Sequence, residues 1–279
     1  MTEIRNVVAG VIAAANARSP TPAGEYLAED GLLHCSGCHE PVQCRIDILG
    51  EEKTVRCICS CVKKTMQAFN DRIRREEIER NRLDCFGESE LRNWTFAEDD
   101  LKQPKLSAAF KRYVDGFRQF MQDGKGLLLY GRNGTGKSFY AACIANALID
   151  SGYKVLVTNI SRISNILQGM FEGKQEYIDS LNAYSLIVLD DLGTERQSEF
   201  MQEMVFSIVN SRYCSGLPFI VTTNLTIDEI TKPQDSGRAR IYSRVLQRCF
   251  PVEVNGIDRR KAALKSDFPD MAAKLGLTL

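Results

Sequence analysis

Histidine is almost missing from this 279-residue chain, which has two, and net charge is missing altogether: 36 lysines and arginines balance 36 acids. Without an excess of either sign, any nucleic-acid contact must come from local basic patches and not from the field of the whole molecule. No apolar run approaches the ~20 residues that cross a bilayer, so no membrane span is expected. The start carries Arg5 and a short alanine-rich stretch, without a long apolar core and cleavage site, so no secretion signal is expected. The cytoplasm is the expected address. No internal repeat or low-complexity tract stands out. What is present is an ordinary apolar fraction of 44%, enough for a real core, and ten cysteines. In a reducing compartment those are expected as metal ligands or buried thiols, not disulfides.

One stretch organises the rest. Gly131, Arg132, Asn133, Gly134, Thr135, Gly136, Lys137 and Ser138 fit the phosphate-loop pattern G-x-x-x-x-G-K-[ST], and Phe139 follows. The apolar run 126–130 before it reads as a buried strand, and the alanine-rich run 138–149 after it as a helix. Glycines let successive backbone N–H groups turn toward an anion, and the helix N-terminus adds partial positive charge. Lys137 supplies a full charge for the β- and γ-phosphates, and the Ser138 hydroxyl is a ligand for Mg²⁺. A nucleoside triphosphate is the expected ligand.

Further strands are expected at 153–158, 184–190 and 218–223, with helices over 107–121, 160–172 and 197–214. Apolar strands without polar alternation, separated by helices, indicate a parallel sheet covered on both faces. The third strand delivers Asp190 and Asp191 at its tip. We assign Asp190 to the metal and Asp191 to orienting and deprotonating the attacking water. The fourth ends in Thr222, Thr223 and Asn224, an amide placed for the γ-phosphate or the lytic water. Farther on, Arg240, Arg244 and Arg248 share one helix face at i,i+4 spacing. A solvated basic face is the ordinary explanation; the alternative is that one of them reaches the triphosphate of an adjacent copy.

The first third of the chain is different. Residues Ile4, Val7, Val8, Val11, Ile12 and Ala15 fall at helical spacing. Six cysteines then lie between Cys35 and Cys61. A C-x-x-C pair followed by a second knuckle about twenty residues later is zinc-ribbon spacing, and the alternation between them suits a β-hairpin. Cys35 and Cys38 are the firm pair. The second pair comes from Cys57, Cys59 and Cys61, with Cys59 and Cys61 preferred because they lie past the strand. Cys44, His34 and His39 are reserves. No spare histidine or glutamate suggests an open, catalytic site, so the Zn²⁺ would be structural. A charged connector helix is expected over 62–83. The domain boundary is placed in the polar stretch 84–90, dividing 1–88 from 89–279.

The phosphate loop, the Leu-Asp-Asp-Leu-Gly after the third strand, the Thr-Thr-Asn and the Arg-Ile-Tyr-Ser-Arg-Val helix together resemble the DnaC/DnaI helicase-loader branch of the AAA+ ATPases. The helper ATPases of IstB-type transposons share that branch. The similarity covers about residues 93–263, and the cysteine-rich part resembles the zinc-bearing, helicase-binding domain of DnaI-type proteins. The resemblance implies an α/β AAA+ P-loop core behind a small α+β zinc-ribbon-like adaptor domain. It also implies ATP hydrolysis, self-association through the ATPase domain, single-stranded DNA, and a replicative hexameric helicase as partner. In residue terms it makes Asn224 the sensor 1 residue and Arg244 an arginine finger acting in trans. Arg259 or Arg260 stands at sensor 2, ahead of a short or missing helical lid. Arg162 and Lys174 fall in the segment that meets single-stranded DNA. Two rival readings are a transposition helper ATPase on duplex DNA, which generally lacks a zinc domain, and a zinc adaptor that binds nucleotide without hydrolysing it.

Overall fold

The computed structural model describes residues 21–48, 50–193 and 199–261, with isolated positions outside these ranges. The chain divides into two compact units, Met1–Glu76 and Glu77–Leu279. The helix expected over 4–15 lies outside the described ranges.

In the first unit, short strands β1 (Glu25–Leu27) and β2 (Leu33–Cys35) pair antiparallel. Strands β3 (Gln43–Ile48) and β4 (Glu51–Arg56) form the expected hairpin, with Cys44 opposite Val55. An ion pair between Arg56 and Glu25 ties the first strand pair to the second. Among the described residues, Cys35, Val42 and Cys59 are buried together, with Leu33 and Val62 against them.

Helix α1 (Ser60–Phe86) contains the connector read over 62–83. The division between units falls inside it, ahead of the polar stretch at 84–90. The reason is packing: Ile78, Cys85 and Phe86 already belong to the hydrophobic core of the second unit.

That unit is built on five parallel strands in the order β6-β7-β8-β5-β9. They are β5 (Gly126–Tyr130), β6 (Val155–Asn159), β7 (Leu186–Asp190), β8 (Phe219–Thr223) and β9 (Cys249–Glu253). The strands read as unbroken apolar runs because both faces are covered. Leu127, Leu129, Leu186 and Val188 enter one core with helices α2 (Pro104–Asp115), α3 (Phe117–Asp123) and α4 (Lys137–Asp150). Leu128, Ile187, Leu189 and Val221 enter the other, with α5 (Ile160–Gln168), α7 (Glu199–Ser215), the short α8 (Ile227–Thr231) and α9 (Ser236–Arg248). Each fully buried leucine or isoleucine contributes ~1.5–3 kcal/mol of transfer free energy. Ten of the fourteen residues of α4 are buried, which makes it the central helix of its layer and fixes the phosphate loop ahead of it.

Three local readings differ from the structure. The helix expected over 107–121 is two helices, because the chain bends at Gly116, whose N–H bonds back to Arg112 and Val114. The helix expected over 160–172 stops at Gln168. Glycines 169 and 173 follow, and a separate short helix α6 (Lys174–Ser180) begins after them. Strand β9 was not anticipated: its sequence Cys-Phe-Pro-Val-Glu carries a proline and is half exposed, as suits an edge.

Candidate functional site

The phosphate loop leaves the end of β5. Gly131 has φ +142°, and a Cβ there would lie 2.5 Å from the Val254 carbonyl oxygen. At Gly134, φ is +77° and a Cβ would sit 2.0 Å from Asp258 Oδ1. Both positions admit only glycine, because the strand-end segment after β9 packs directly on the loop. The Val254 N–H donates to Tyr130 O at 2.8 Å and the Arg259 N–H to Gly134 O at 2.9 Å. Thr135 braces the loop from inside, its hydroxyl donating to Arg132 O at 2.9 Å.

Lys137 is buried, and its Nζ donates to Gly131 O at 3.0 Å and Arg132 O at 2.8 Å. Burial holds this ammonium below the usual lysine range, against the pull of Asp191 and Asp190. The loop thus keeps a partly desolvated cation over a cradle of backbone, an arrangement that fits a phosphate chain.

Ser138 Oγ donates to both carboxylate oxygens of Asp190, at 2.9 and 3.1 Å. A hydroxyl and a carboxylate meeting from residues far apart in sequence form a hard-oxygen donor pair of the kind Mg²⁺ takes. Thr222 Oγ1 donates to the same Asp190 Oδ1 at 2.6 Å and accepts the Asp191 N–H at 2.8 Å. Asp191 lies in the left-handed region, φ +56°, which costs a non-glycine residue about 1–3 kcal/mol unless its surroundings hold it there. They do: the Leu192 N–H donates to Thr222 O at 2.8 Å, and Thr223 Oγ1 donates to Leu192 O at 2.6 Å. Burial, then the charge of Asp190, pushes the Asp191 carboxyl above the ordinary range. Asn224 Nδ2 donates to Asp191 Oδ1 at 3.5 Å. The two threonines, read from sequence only as company for Asn224, are the staples of the acidic turn.

These groups open on a cavity of about 510 Å³ whose lining includes Asn133, Lys137, Ser138, Asp191 and Asn224. Phe139 and Trp94 add an aromatic wall, their rings 5.9 Å apart. Trp94 escaped the sequence reading because nothing local marks it. It is held by Asn146 of α4, whose Nδ2 donates to Trp94 O at 3.0 Å and Leu91 O at 3.1 Å. Both sensor 2 candidates line the cavity and differ in their surroundings. Arg259 pairs with Asp100 at 3.1 Å and lies over the Phe139 ring at 5.9 Å. The charge of Arg260 acts on Lys137 and Asp191.

Arg244 is not among the lining residues. Its Nε donates to Asn210 Oδ1 at 2.8 Å, and its guanidinium lies 4.6 Å from the centre of the Phe206 ring. Arg240 stacks on the same ring at 4.0 Å, and Arg248 on Tyr213 at 5.0 Å. The basic face of α9 is therefore an ordered ladder on α7.

In the first unit, the Sγ atoms of Cys35, Cys38, Cys59 and Cys61 all lie within 4.8 Å of one another. A tetrahedral zinc with Zn–S bonds of about 2.3 Å sets its sulfurs about 3.8 Å apart, so this quartet fits. Cys57 falls outside it, its thiol directed to Pro41 O at 3.4 Å. His34 is engaged by Asp30 at 2.9 Å and by His39 O at 2.9 Å. Backbone N–H groups of Cys38 and Gly37 hold the Cys35 thiol below its usual range, and that of Glu40 does so for Cys38. Cys61 is pushed up by Cys38 beside it, and Cys59 by burial. Four crowded thiols cannot all ionise without a cation to share. Glu40 joins the knuckles, accepting the Ser60 N–H at 2.6 Å.

The family model described as IstB-like ATP binding protein matches residues 88–266. The chain is 25% identical over 187 residues to the replicative helicase loader DnaI of Bacillus subtilis (strain 168), covering 62% of this chain and 60% of that one. It is 28% identical over 123 residues to the replicative helicase loader DnaC of Escherichia coli (strain K12), covering 41% and 50%. The matches thus span about half to three fifths of the length of these curated relatives. A crystal structure of DnaI superposes with a TM-score of 0.53 at 25% identity, covering 64% of this chain and 99% of that one. The AAA+ P-loop core read from the sequence is the fold observed, preceded by a small β region with its cysteine cluster. Among the described residues, no helix is long and apolar enough to cross a membrane.

Proposed function

We propose, from the premise that this chain belongs to the IstB-like ATP binding protein family, that it is an ATP-hydrolysing loader of a replicative hexameric helicase. The observation that carries the ATPase half is the Ser138–Asp190–Thr222–Asp191 network beside a buried Lys137. On this reading the triphosphate takes over the Lys137 ammonium from the loop carbonyls. Ser138 and Asp190 would hold Mg²⁺, which would supply positive charge against the phosphates. Asp191, with its carboxyl above the ordinary range, orients the attacking water and accepts its proton, and Asn224 fixes the carboxylate. Trp94 and Phe139 stack on the base. Arg260, whose charge reaches Lys137 and Asp191, suits sensor 2; Arg259 is committed to Asp100.

Arg244 is ordered by α7 and stands apart from its own cavity, as a residue serving an adjacent copy must. Its guanidinium would stabilise charge developing on that copy's γ-phosphate. The cysteine quartet holds a structural Zn²⁺ in a helicase-gripping adaptor. For single-stranded DNA we add Phe171 to Arg162 and Lys174. This side chain is fully exposed in the glycine-flanked turn between α5 and α6, where a base can stack on it. The relatives that are helicase loaders support this reading, and the IstB-like family match keeps a transposition helper as its rival.

The test is phosphate release measured with single-stranded DNA and helicase present. Lys137→Ala should abolish both nucleotide binding and turnover, whereas Asp191→Asn should bind and not turn over. Unchanged release in both variants overturns the assignment. Preference for bent duplex over single strands would favour the transposition helper.

A further inference from the structure

A second cavity, of about 540 Å³, opens at the start of β5, while the phosphate loop follows its end. Its walls include Phe110, Tyr113 and Phe120 from α2 and α3, and Leu246, Phe250 and Val252 from the α9–β9 junction. Three cations, Arg112, Lys125 and Arg248, also line it, and no carboxylate does among the described residues. Among the described residues, Lys125 Nζ reaches only a backbone carbonyl, Gln247 O, at 3.0 Å. Arg248 Nη2 likewise donates to Tyr213 O at 3.2 Å, and among the described residues its buried Nε has no hydrogen-bond partner. The neighbouring acid Asp123 is engaged by the Gln119 amide at 3.1 Å. Three cations on apolar walls give a concave surface that concentrates negative charge.

Phe250 is 70% exposed at the rim, a large apolar side chain on a strand that, among the described residues, pairs only with β5. An exposed aromatic beside an apolar cavity marks a contact surface more than a closed small-molecule pocket. Pro251 removes an N–H from the same edge, so a visiting chain cannot extend the sheet past it. The occupant must therefore be recognised by a side chain seated in the cavity and by charge at its mouth.

We propose that this cavity docks an acidic peptide segment of a partner protein, with a phenylalanine or leucine anchor among Phe110, Tyr113 and Leu246. Flanking carboxylates meet Arg112, Lys125 and Arg248, and the Phe250 ring closes over the anchor. The surface is independent of the nucleotide reading, since it lies at the other end of the strand.

Fluorescence anisotropy of a fluorescein-labelled peptide, glutamates around one central phenylalanine, tests this on the full chain. Saturable binding is expected with Kd on the order of 10–100 μM, a weak single-anchor contact. Replacing the anchor by alanine should weaken it about tenfold, and Phe250→Ala should cost a similar factor. Replacing the glutamates by lysines, or the protein's Lys125→Glu, should abolish the salt-sensitive part. Both protein variants should bind fluorescent ATP as the wild type does, which separates a lost surface from a lost fold. Equal affinity for the glutamate and lysine peptides, or for wild type and both variants, overturns the proposal. So does absence of saturable peptide binding, and saturable binding of octanoate in its place would point to a small amphipathic anion instead.

Discussion

Replacing Thr222 by valine removes one hydroxyl and keeps the side-chain shape. That hydroxyl is fully buried, donates to Asp190 at 2.6 Å and accepts the Asp191 N–H at 2.8 Å. Taking the partner from the part-buried Asp191 N–H costs about 1–3 kcal/mol, and losing a bond to a charged acceptor about 1.5–3 kcal/mol. A buried methyl in place of the hydroxyl offsets about 1 kcal/mol. The net loss is about 1.5–5 kcal/mol, which lowers the melting temperature of the nucleotide-free protein by about 3–20 °C. Turnover should fall further than stability alone explains, because Asp191 depends on this bond to hold φ +56°. We expect phosphate release to drop by about ten- to a hundredfold, the range of a misplaced catalytic group. Binding of fluorescent ATP should change little, since Lys137 and the loop are untouched. Thr222→Ser should restore both properties. A valine variant with wild-type melting and wild-type turnover would refute the stapling argument.

Further expectations concern other parts of the chain. Cys35→Ser or Cys59→Ser should reduce bound zinc from about one per chain to none and melt the first unit, as loss of a ligand does in small metal-cored domains, while Cys57→Ser should keep its zinc; metal analysis decides. Trp94 is the only tryptophan, so intrinsic fluorescence should report nucleotide binding directly. Trp94→Ala should weaken ATP binding about tenfold, as loss of one stacking partner does. The Asp191 carboxyl titrates above its unfolded value, so its ionised form is penalised in the fold. That penalty is absent below the unfolded pKa, grows as pH rises through the window between the two values, and is complete above the folded one. Asp191→Asn should therefore raise the melting temperature at neutral pH and not at strongly acid pH. In the wild type, phosphate release should fail on the acid side at a pH above that expected for an ordinary aspartate.

Much of the core was legible because its signals are local. The run before Gly131 is apolar without alternation, as only a strand covered on both faces needs to be, and the helix after it is rich in alanine. Strand β7 announced itself the same way, with both acids at its tip. The choice of Cys59 and Cys61 over Cys57 followed from where a hairpin strand must end. What was not legible depends on tertiary contacts. Trp94 is placed by Asn146 of a later helix, and Thr222 acts on a turn that precedes it by a whole helix and strand. Strand β9 has too short and broken a pattern to declare itself, and exists because β5 offers it an edge. Helix α1 runs past its expected end because the second unit's core accepts Cys85 and Phe86.

We propose that the next copy's Arg244 completes one copy's nucleotide site, and mixing two dead variants tests this most directly. Lys137→Ala keeps the arginine and loses the cradle; Arg244→Ala keeps the cradle and loses the arginine. Equal mixing should recover about a quarter of the wild-type phosphate release, the share of head-to-tail contacts that pair an intact cradle with an intact arginine. A mixture as inactive as its two components would contradict the account.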